Sequence, residues 1–98
     1  MSGTIRTSEE LDPRRRRIVY RAWHRGFREM DLIMGSFCDA VIVELSEQEI
    51  ADFETLIDAP DHELYAWIRS AEPVPAEFDT PVFRRLRDYH FTMKPMFA

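Results

Sequence analysis

The segment Arg25-Gly26-Phe27-Arg28-Glu29 places a cation, a glycine and an anion close together in the chain. The Arg25 guanidinium offers a planar fork of donors that suits a carboxylate, a phosphate or backbone carbonyls. The Glu29 carboxylate offers acceptors to a donor on a partner. Gly26 has no side chain, so a partner backbone or a cofactor edge can approach it closely. These residues are typical of a recognition loop rather than of a catalytic dyad.

A structural interpretation of the same segment is helix punctuation. Glycine commonly closes a helix with a positive φ, which Gly26 can adopt. A cation such as Arg25 suits a helix C-terminus, and an anion such as Glu29 suits the start of the next helix. The residue types alone leave both interpretations open. For a recognition loop with exposed charges, we expect Arg25→Ala and Glu29→Ala to change stability by no more than ~0.5 kcal/mol.

Residues for enzymatic or metal chemistry do not form a recognisable pattern elsewhere in the chain. There is no P-loop, no Rossmann glycine fingerprint and no zinc-ligand spacing, and His24, His62 and His90 are scattered. Cys38 is the single cysteine, so it excludes an intramolecular disulfide and is expected to be a small buried hydrophobe. We therefore predict no catalytic residue and no metal site. We also predict no stably held cofactor, because so small a chain cannot enclose a large cofactor.

Hydrophobic periodicity predicts five helices around this segment. Helix starts are marked by Asp12-Pro13, by the capping box Ser46–Glu49 and by Thr80-Pro81. We expect an all-α, compact five-helix bundle over residues 12–91, a disordered tail over residues 1–11 and a loose C-terminal tail over residues 92–98. The predicted helical segments are 14–24, 27–43, a third from residue 47 to Pro60, a short fourth capped by Asp61, and a fifth starting at Pro81.

The spacing of apolar residues also predicts which face of each helix is buried. Gly35, in the middle of the second helix, weakens that helix and allows a bend or close packing against a neighbour. The residues predicted to face the core are Ile18, Val19, Ala22 and Trp23, then Phe27, Met30, Ile33, Met34, Phe37 and Val41, then Ile50, Phe53, Leu56 and Ile57, then Leu64, Tyr65 and Ile68, and finally Val82, Phe83, Leu86 and Tyr89.

Charge is distributed asymmetrically although the net charge is −5. Seven arginines and no acid lie between Arg14 and Arg28, whereas residues 29–68 contain acids and no Lys or Arg. Such a split either steers a protein partner or lets the two parts of the chain attract each other. The acidic majority argues against a dedicated nucleic-acid binder. The absence of a long apolar run or a signal-peptide core predicts a cytoplasmic protein without membrane insertion.

The pattern Arg25-Gly26-x-x-Glu29, followed by an apolar helix, resembles the signature of the small SdhE-type succinate dehydrogenase assembly factors. The similarity extends over nearly the whole predicted domain, in the family's order. Its further parts are the basic helix around Arg17-Ile18, Met30-Asp31-Leu32-Ile33, Ser46-Glu47-Gln48-Glu49, Leu64-Tyr65-Ala66-Trp67, Glu72-Pro73 and the final basic helix from Phe83 to Tyr89. The family has a five-helix fold, which the periodicity predicts independently.

The resemblance implies that the chain binds the flavoprotein subunit of bacterial succinate dehydrogenase and promotes covalent FAD attachment. The fumarate reductase flavoprotein is a further candidate partner. The partner-binding loop would be Arg25, Gly26, Phe27, Arg28 and Glu29, with Arg17, Arg21 and Asp31 as supporting contacts. The histidyl–FAD bond would form within the flavoprotein, and this chain, a monomer and not an enzyme, would hold no FAD stably.

Two other functions follow from the same sequence. One is a basic-helix nucleic-acid-binding or antitoxin-type regulator, in which the run Arg14–Arg17 contacts phosphates. The other is a structural adaptor without preference for flavoproteins. Salt-sensitive binding to DNA would support the first, and indifference to flavoproteins would support the second.

Overall fold

The computed structural model describes residues 11–97 and their side chains as far as Thr92; residues 1–10 and Ala98 lie outside the described part. Within that range the chain forms five α-helices and no strand, which confirms the all-α prediction. The α-helices are α1 (Pro13–Trp23), α2 (Arg28–Val41), α3 (Glu47–Ile57), α4 (Asp61–Ile68) and α5 (Pro81–Phe97), and a 3₁₀ turn (Ala76–Phe78) precedes α5. Among these residues no helix has both the length and the apolar character of a membrane span.

Three of the helix starts use the predicted caps. The Asp12 carboxylate accepts the backbone N–H of Arg15 at 3.3 Å, with Pro13 at the first helical position. At α3 the Ser46 hydroxyl accepts the backbone N–H of Glu49 at 3.2 Å, while the Glu49 carboxylate accepts that of Ser46 at 2.9 Å. This reciprocal pair is the predicted capping box. The Thr80 hydroxyl caps α5 in the same manner.

Both predicted tails include residues that the structure describes as ordered, whereas residues 1–10 of the first tail and Ala98 of the second lie outside the described part. Leu11 was assigned to the disordered N-terminal tail, but it is buried with the core residues. Burial of an aliphatic side chain removes apolar surface from water and can hold the residue before a helix cap in place. At the other end, the loose tail predicted from Thr92 is wrong for residues 92–97, because α5 continues to Phe97. No glycine stops α5 after the last core residue, so the helix can propagate.

The core lies where the apolar faces of all five α-helices meet. Its aromatic centre is Phe37, whose ring meets that of Phe53 in an edge-to-face arrangement at a centroid distance of 5.7 Å and that of Tyr89 at 5.6 Å. The predicted core residues are buried, except that Phe27, Tyr65 and Tyr89 are only partly so. Cys38 is buried as predicted. The helix faces could be predicted because burial follows the local 3.6-residue period.

Gly35 allows α1 and α2 to pack closely. A Cβ atom at Gly35 would overlap the ring of Trp23, far inside van der Waals contact. The predicted close packing at this glycine is therefore what the structure shows. Because α1 and α2 cross in this way, the connection between them has a fixed geometry.

The basic first helix is paired with the acidic third helix. Arg14 forms ion pairs with Glu47 and Glu54 at 3.1 and 2.7 Å, and Arg21 pairs with Asp58 at 2.6 Å. Of the two explanations for the charge split, mutual attraction within the chain is the one that these contacts demonstrate. Each exposed pair stabilises the fold only slightly, because solvent screens the attraction between the charges.

Arg15 holds the connection between α2 and α3. Its guanidinium donates to the backbone carbonyls of Ile42 at 3.0 Å and Leu45 at 3.1 Å. These carbonyls lie at and after the end of α2, where backbone acceptors have no helical partner. Arg15 thus has a structural role inside the basic run.

Candidate recognition corner

The predicted site lies at the α1–α2 corner, which comprises residues 24–29 and faces the start of α4. Gly26, Arg28 and Glu29 are exposed, and Phe27 is half-buried. The Arg25 side chain is only 7% exposed. The corner therefore contains one buried anchor and several residues that a partner can reach.

Arg25 is the buried anchor. Its Nε donates to Asp61 Oδ1 at 2.7 Å, and its two Nη atoms donate to the carbonyls of Ile57 at 2.7 Å and Ala59 at 3.2 Å. The carbonyls belong to the end of α3 and the connection to α4. The expectation that Arg25 presents an exposed donor fork is wrong, because the fork is used to join the corner to this connection.

Gly26 lies directly against the carboxylate of Asp61. The Gly26 N–H donates to Asp61 Oδ2 at 2.7 Å, and a Cβ at Gly26 would overlap the same carboxylate. The backbone of Gly26 does not lie in the left-handed region, so the expected positive φ is wrong. Asp61 was predicted to cap α4, but Pro60 occupies that position. The Asp61 carboxylate accepts hydrogen bonds from Arg25 and Gly26, which are far away in the sequence, instead of capping α4.

Asp31 supports the corner from within α2. Its Oδ1 atom accepts the backbone N–H of Arg25 at 2.5 Å. Arg25 is thereby held at its backbone by one carboxylate and at its side chain by another. Asp31 was predicted as a supporting contact to a partner; in the structure its oxygen fixes the loop.

Phe27 belongs to a small aromatic shelf that the sequence did not indicate. Its ring stacks on His62, with centroids 5.2 Å apart and planes 12° apart, and meets Tyr65 edge-on at 5.2 Å. The guanidinium of Arg69 lies over the Tyr65 ring at 5.0 Å. His62, Tyr65 and Arg69 come from α4 and its end, so only the contact between α4 and the corner places them beside Phe27.

Arg28 and Glu29 are the charges that the corner presents to solvent. Both are exposed, and neither side chain forms a hydrogen bond or ion pair with a residue in the described range. Of the other predicted supporting residues, Arg17 is exposed, whereas Arg21 is engaged by Asp58. The structure thus separates the predicted site into internal supports and accessible groups.

The arrangement is suited to binding a protein surface. The buried Arg25 side chain and the half-buried Asp61 fix the loop backbone, so little conformational entropy is lost when its exposed groups meet a partner. Among residues 11–92 no cluster of three or more His, Cys, Asp or Glu side chains could hold a metal ion. Partly exposed aromatic groups beside opposite charges are typical of protein interfaces.

Comparison with known proteins places the chain in a family. Residues 16–90 match the family model described as flavinator of succinate dehydrogenase. A relative from Acetobacter pasteurianus, named FAD assembly factor SdhE, is 38% identical over 78 residues, which are 80% of this chain and 72% of the relative.

Mitochondrial proteins are also similar. Succinate dehydrogenase assembly factor 2 of Dictyostelium discoideum is 33% identical over 87 residues, 89% of this chain and 61% of that protein. Assembly factor 2-B of Drosophila ananassae is 31% identical over 87 residues, 87% of this chain and 53% of that protein. The chain therefore spans little more than half the length of these mitochondrial relatives. The match over residues 16–90 includes all five α-helices in part or whole, and the chain belongs to the family of succinate dehydrogenase flavinators.

Proposed function

We propose that this chain binds the flavoprotein subunit of succinate dehydrogenase and promotes the covalent attachment of FAD to it. Membership of the flavinator family and the names of the similar proteins support the proposal. The structural observation that carries it is the pair of exposed charges, Arg28 and Glu29, on a corner fixed by buried Arg25. The fumarate reductase flavoprotein remains a second candidate partner, and monomeric state and cytoplasmic location remain expectations.

In this proposal the chain acts by binding rather than by catalysis. FAD belongs to the partner, and the covalent bond forms there. A protein that binds one conformation of a partner more tightly shifts the partner toward that conformation, by as much as the affinities differ. The rigid corner would select the flavoprotein conformation in which the histidine and the flavin are aligned. Glu29 and Arg28 would pair with groups of opposite charge, and Phe27 would add apolar contact.

The nucleic-acid alternative is not favoured. Arg14 and Arg15, half of the basic run, are engaged by carboxylates and carbonyls of the chain itself. The arginines that remain would make few phosphate contacts on a protein with a net charge of −5.

The decisive experiment compares Glu29→Gln with Glu63→Gln. Both glutamates are exposed and lie in the first turn of a helix, α2 or α4, so the two changes are closely matched. Each variant is mixed with purified flavoprotein subunit and FAD, and covalent flavin is read as in-gel fluorescence. We expect Glu29→Gln to reduce flavinylation severalfold and Glu63→Gln to behave as wild type. Both should melt as wild type, within ~0.5 kcal/mol in the free energy of unfolding.

Arg28→Gln provides a second test of the same surface. It should also lower flavinylation without changing the melt, because its guanidinium has no hydrogen bond or ion pair within the described residues. Full flavinylation with both folded variants would contradict the assignment of the corner. Arg25→Ala is unsuitable for this test, since it also removes internal hydrogen bonds.

A further inference from the structure

The outward face of α1 and its C-cap carry a second group of accessible residues, Arg16, Arg17, Tyr20 and His24, which we call the α1 strip. All four are exposed. With 3.6 residues per turn they fall within about 100° of one another around the helix axis. The core-facing residues Ile18, Val19 and Ala22 lie on the opposite side of the same helix.

The two arginines of the α1 strip differ from the other arginines of the basic region. Arg14, Arg15, Arg21 and Arg25 are all engaged by carboxylates or carbonyls of the chain. Arg16 and Arg17 have no side-chain hydrogen bond or ion pair among the described residues, although Arg17 lies close enough to Glu54 to lower the pKa of that carboxyl. They are available to a partner.

The position of these arginines is unfavourable for the helix itself. The first turn of α1 contains no acid, so its cations face the positive end of the helix dipole. Arg14 and Arg15 offset this cost through their internal contacts, whereas Arg16 and, at the start of the second turn, Arg17 have no comparable contacts among the described residues. Residues that oppose a local rule without internal compensation commonly serve binding.

Tyr20 provides the apolar part of the α1 strip. It is 63% exposed, the highest value among the exposed large hydrophobic residues of the described range. Its ring stacks on His24 with centroids 4.0 Å apart and planes 15° apart. A ring nitrogen of His24 lies 2.7 Å from the Tyr20 carbonyl oxygen, so the stack is tied to the backbone. An exposed aromatic surface that is already ordered loses little entropy on binding.

We infer that the α1 strip is a second docking surface and that it binds an acidic surface segment of the flavoprotein. The inference rests on the proposed function and extends it beyond the corner. The strip and the corner share His24, so the two surfaces are continuous and both can contact one partner. Aspartate and glutamate side chains on the partner would pair with Arg16 and Arg17, while Tyr20 packs against its apolar surface.

An acidic protein segment fits the strip better than nucleic acid does. Tyrosine and arginine are among the residues that contribute most to the binding energy of protein interfaces. Two guanidinium groups without an ion pair among the described residues are few for a phosphate backbone, whose binding depends on many counterions released together. The net charge of −5 would repel a polyanion, whereas a protein partner needs complementarity only at the contact.

The test measures binding of purified, FAD-loaded flavoprotein subunit to the full chain by biolayer interferometry at low and high ionic strength. The variants are Arg17→Gln, the double variant Arg16→Gln/Arg17→Gln, and Tyr20→Ser. Arg84→Gln is the control for Arg17→Gln, because it removes one charge from an exposed position on α5. We expect Arg17→Gln to bind more weakly than this control. The double variant should lose roughly tenfold in affinity at low ionic strength, mainly through slower association, and far less at high ionic strength.

Tyr20→Ser should instead dissociate faster at both ionic strengths, since apolar contact is not screened by salt. If Glu29→Gln weakens binding while the double variant and Tyr20→Ser match wild type, the α1 strip is not a docking surface and only this inference fails. If wild-type chain does not bind the flavoprotein, the proposed function fails and the inference with it. Loss of duplex DNA binding by the double variant, with flavoprotein binding intact, would also overturn the inference.

Discussion

Arg25 has a different role in the structure from the one its sequence context suggests. Its guanidinium contacts three acceptors of its own chain, the Asp61 carboxylate and the carbonyls of Ile57 and Ala59. Hydrogen bonds to a buried charge are costly to break, because the groups left behind remain desolvated. A substitution at Arg25 therefore affects function through the shape of the corner as well as through any contact with a partner.

We predict that Arg25→Ala lowers the free energy of unfolding by about 2–4 kcal/mol. Arg25→Lys should lose less, because an ammonium group can pair with Asp61 but lacks the planar fork that reaches both carbonyls as well. Chemical denaturation gives the values, and Arg28→Ala, an exposed arginine of the same corner, is the control. An unchanged midpoint for Arg25→Ala would show that the internal hydrogen bonds contribute little.

At the scale of elements, the end of α4 is unusual. Ser70 has a φ of 61° and lies just after the helix, with its N–H donating to the Trp67 carbonyl at 3.1 Å. The N–H of Ala71 donates to the Ala66 carbonyl at 2.9 Å. These two bonds form a Schellman motif, in which glycine normally occupies the left-handed position. Serine there has a Cβ that disfavours this backbone conformation.

We predict that Ser70→Gly raises the free energy of unfolding by about 0.5–1 kcal/mol, because glycine adopts the left-handed conformation without strain. Ser70→Ala is the matched control, since alanine keeps the Cβ and should bring no gain. The free energies of unfolding of both variants are measured by urea denaturation, and the same m-value is used for each. A Ser70→Gly variant no more stable than Ser70→Ala would argue against strain at this position.

At the scale of the whole molecule, ion pairs connect elements that are far apart in sequence. The hydrogen bond from Arg14 in α1 is the main cause that lowers the pKa of Glu54 in α3. The pKa of Glu49 is lowered first by the backbone N–H of Ser46 and further by Arg85 of α5. Ion pairs between the basic and acidic parts of the sequence thus connect α1 and α5 to α3.

These lowered pKa values predict the direction of the pH dependence of stability. A carboxyl whose pKa is lower in the folded chain stabilises the fold above its unfolded pKa, and this contribution is lost as pH falls through the folded pKa. Thermal melts should therefore weaken progressively below the ordinary glutamate pKa of 4.5. Glu54→Gln should lower the melting temperature at neutral pH and reduce the acid dependence.

Glu63→Gln is the control for the pH series, because Glu63 is exposed and has no ion pair among the described residues. Its profile should follow wild type. The effect of Glu54 is expected to be modest, since the pair with Arg14 is partly exposed and screened by solvent. Identical pH profiles for Glu54→Gln and wild type would show that the Arg14 pair does not contribute to acid stability.

The sequence by itself determined the helices, most of their starts and their buried faces. Asp12, Ser46 and Thr80 cap their helices through neighbours three residues away, and helical periodicity is equally local. The pattern from Arg25 to Glu29, together with the further motifs in the family's order along the chain, was likewise sufficient to recognise the family. These features depend on residues close together in the chain, so they can be predicted without the fold.

Only the tertiary structure decided what the charges do. Arg25 and Asp61 are 36 residues apart, and no local pattern indicates that the carboxylate reaches back to Arg25 and Gly26 instead of capping its own helix. The same holds for Phe27 and His62, which meet because α4 packs beside the corner. A charged side chain has many potential partners of similar energy, and the packing of the helices selects among them.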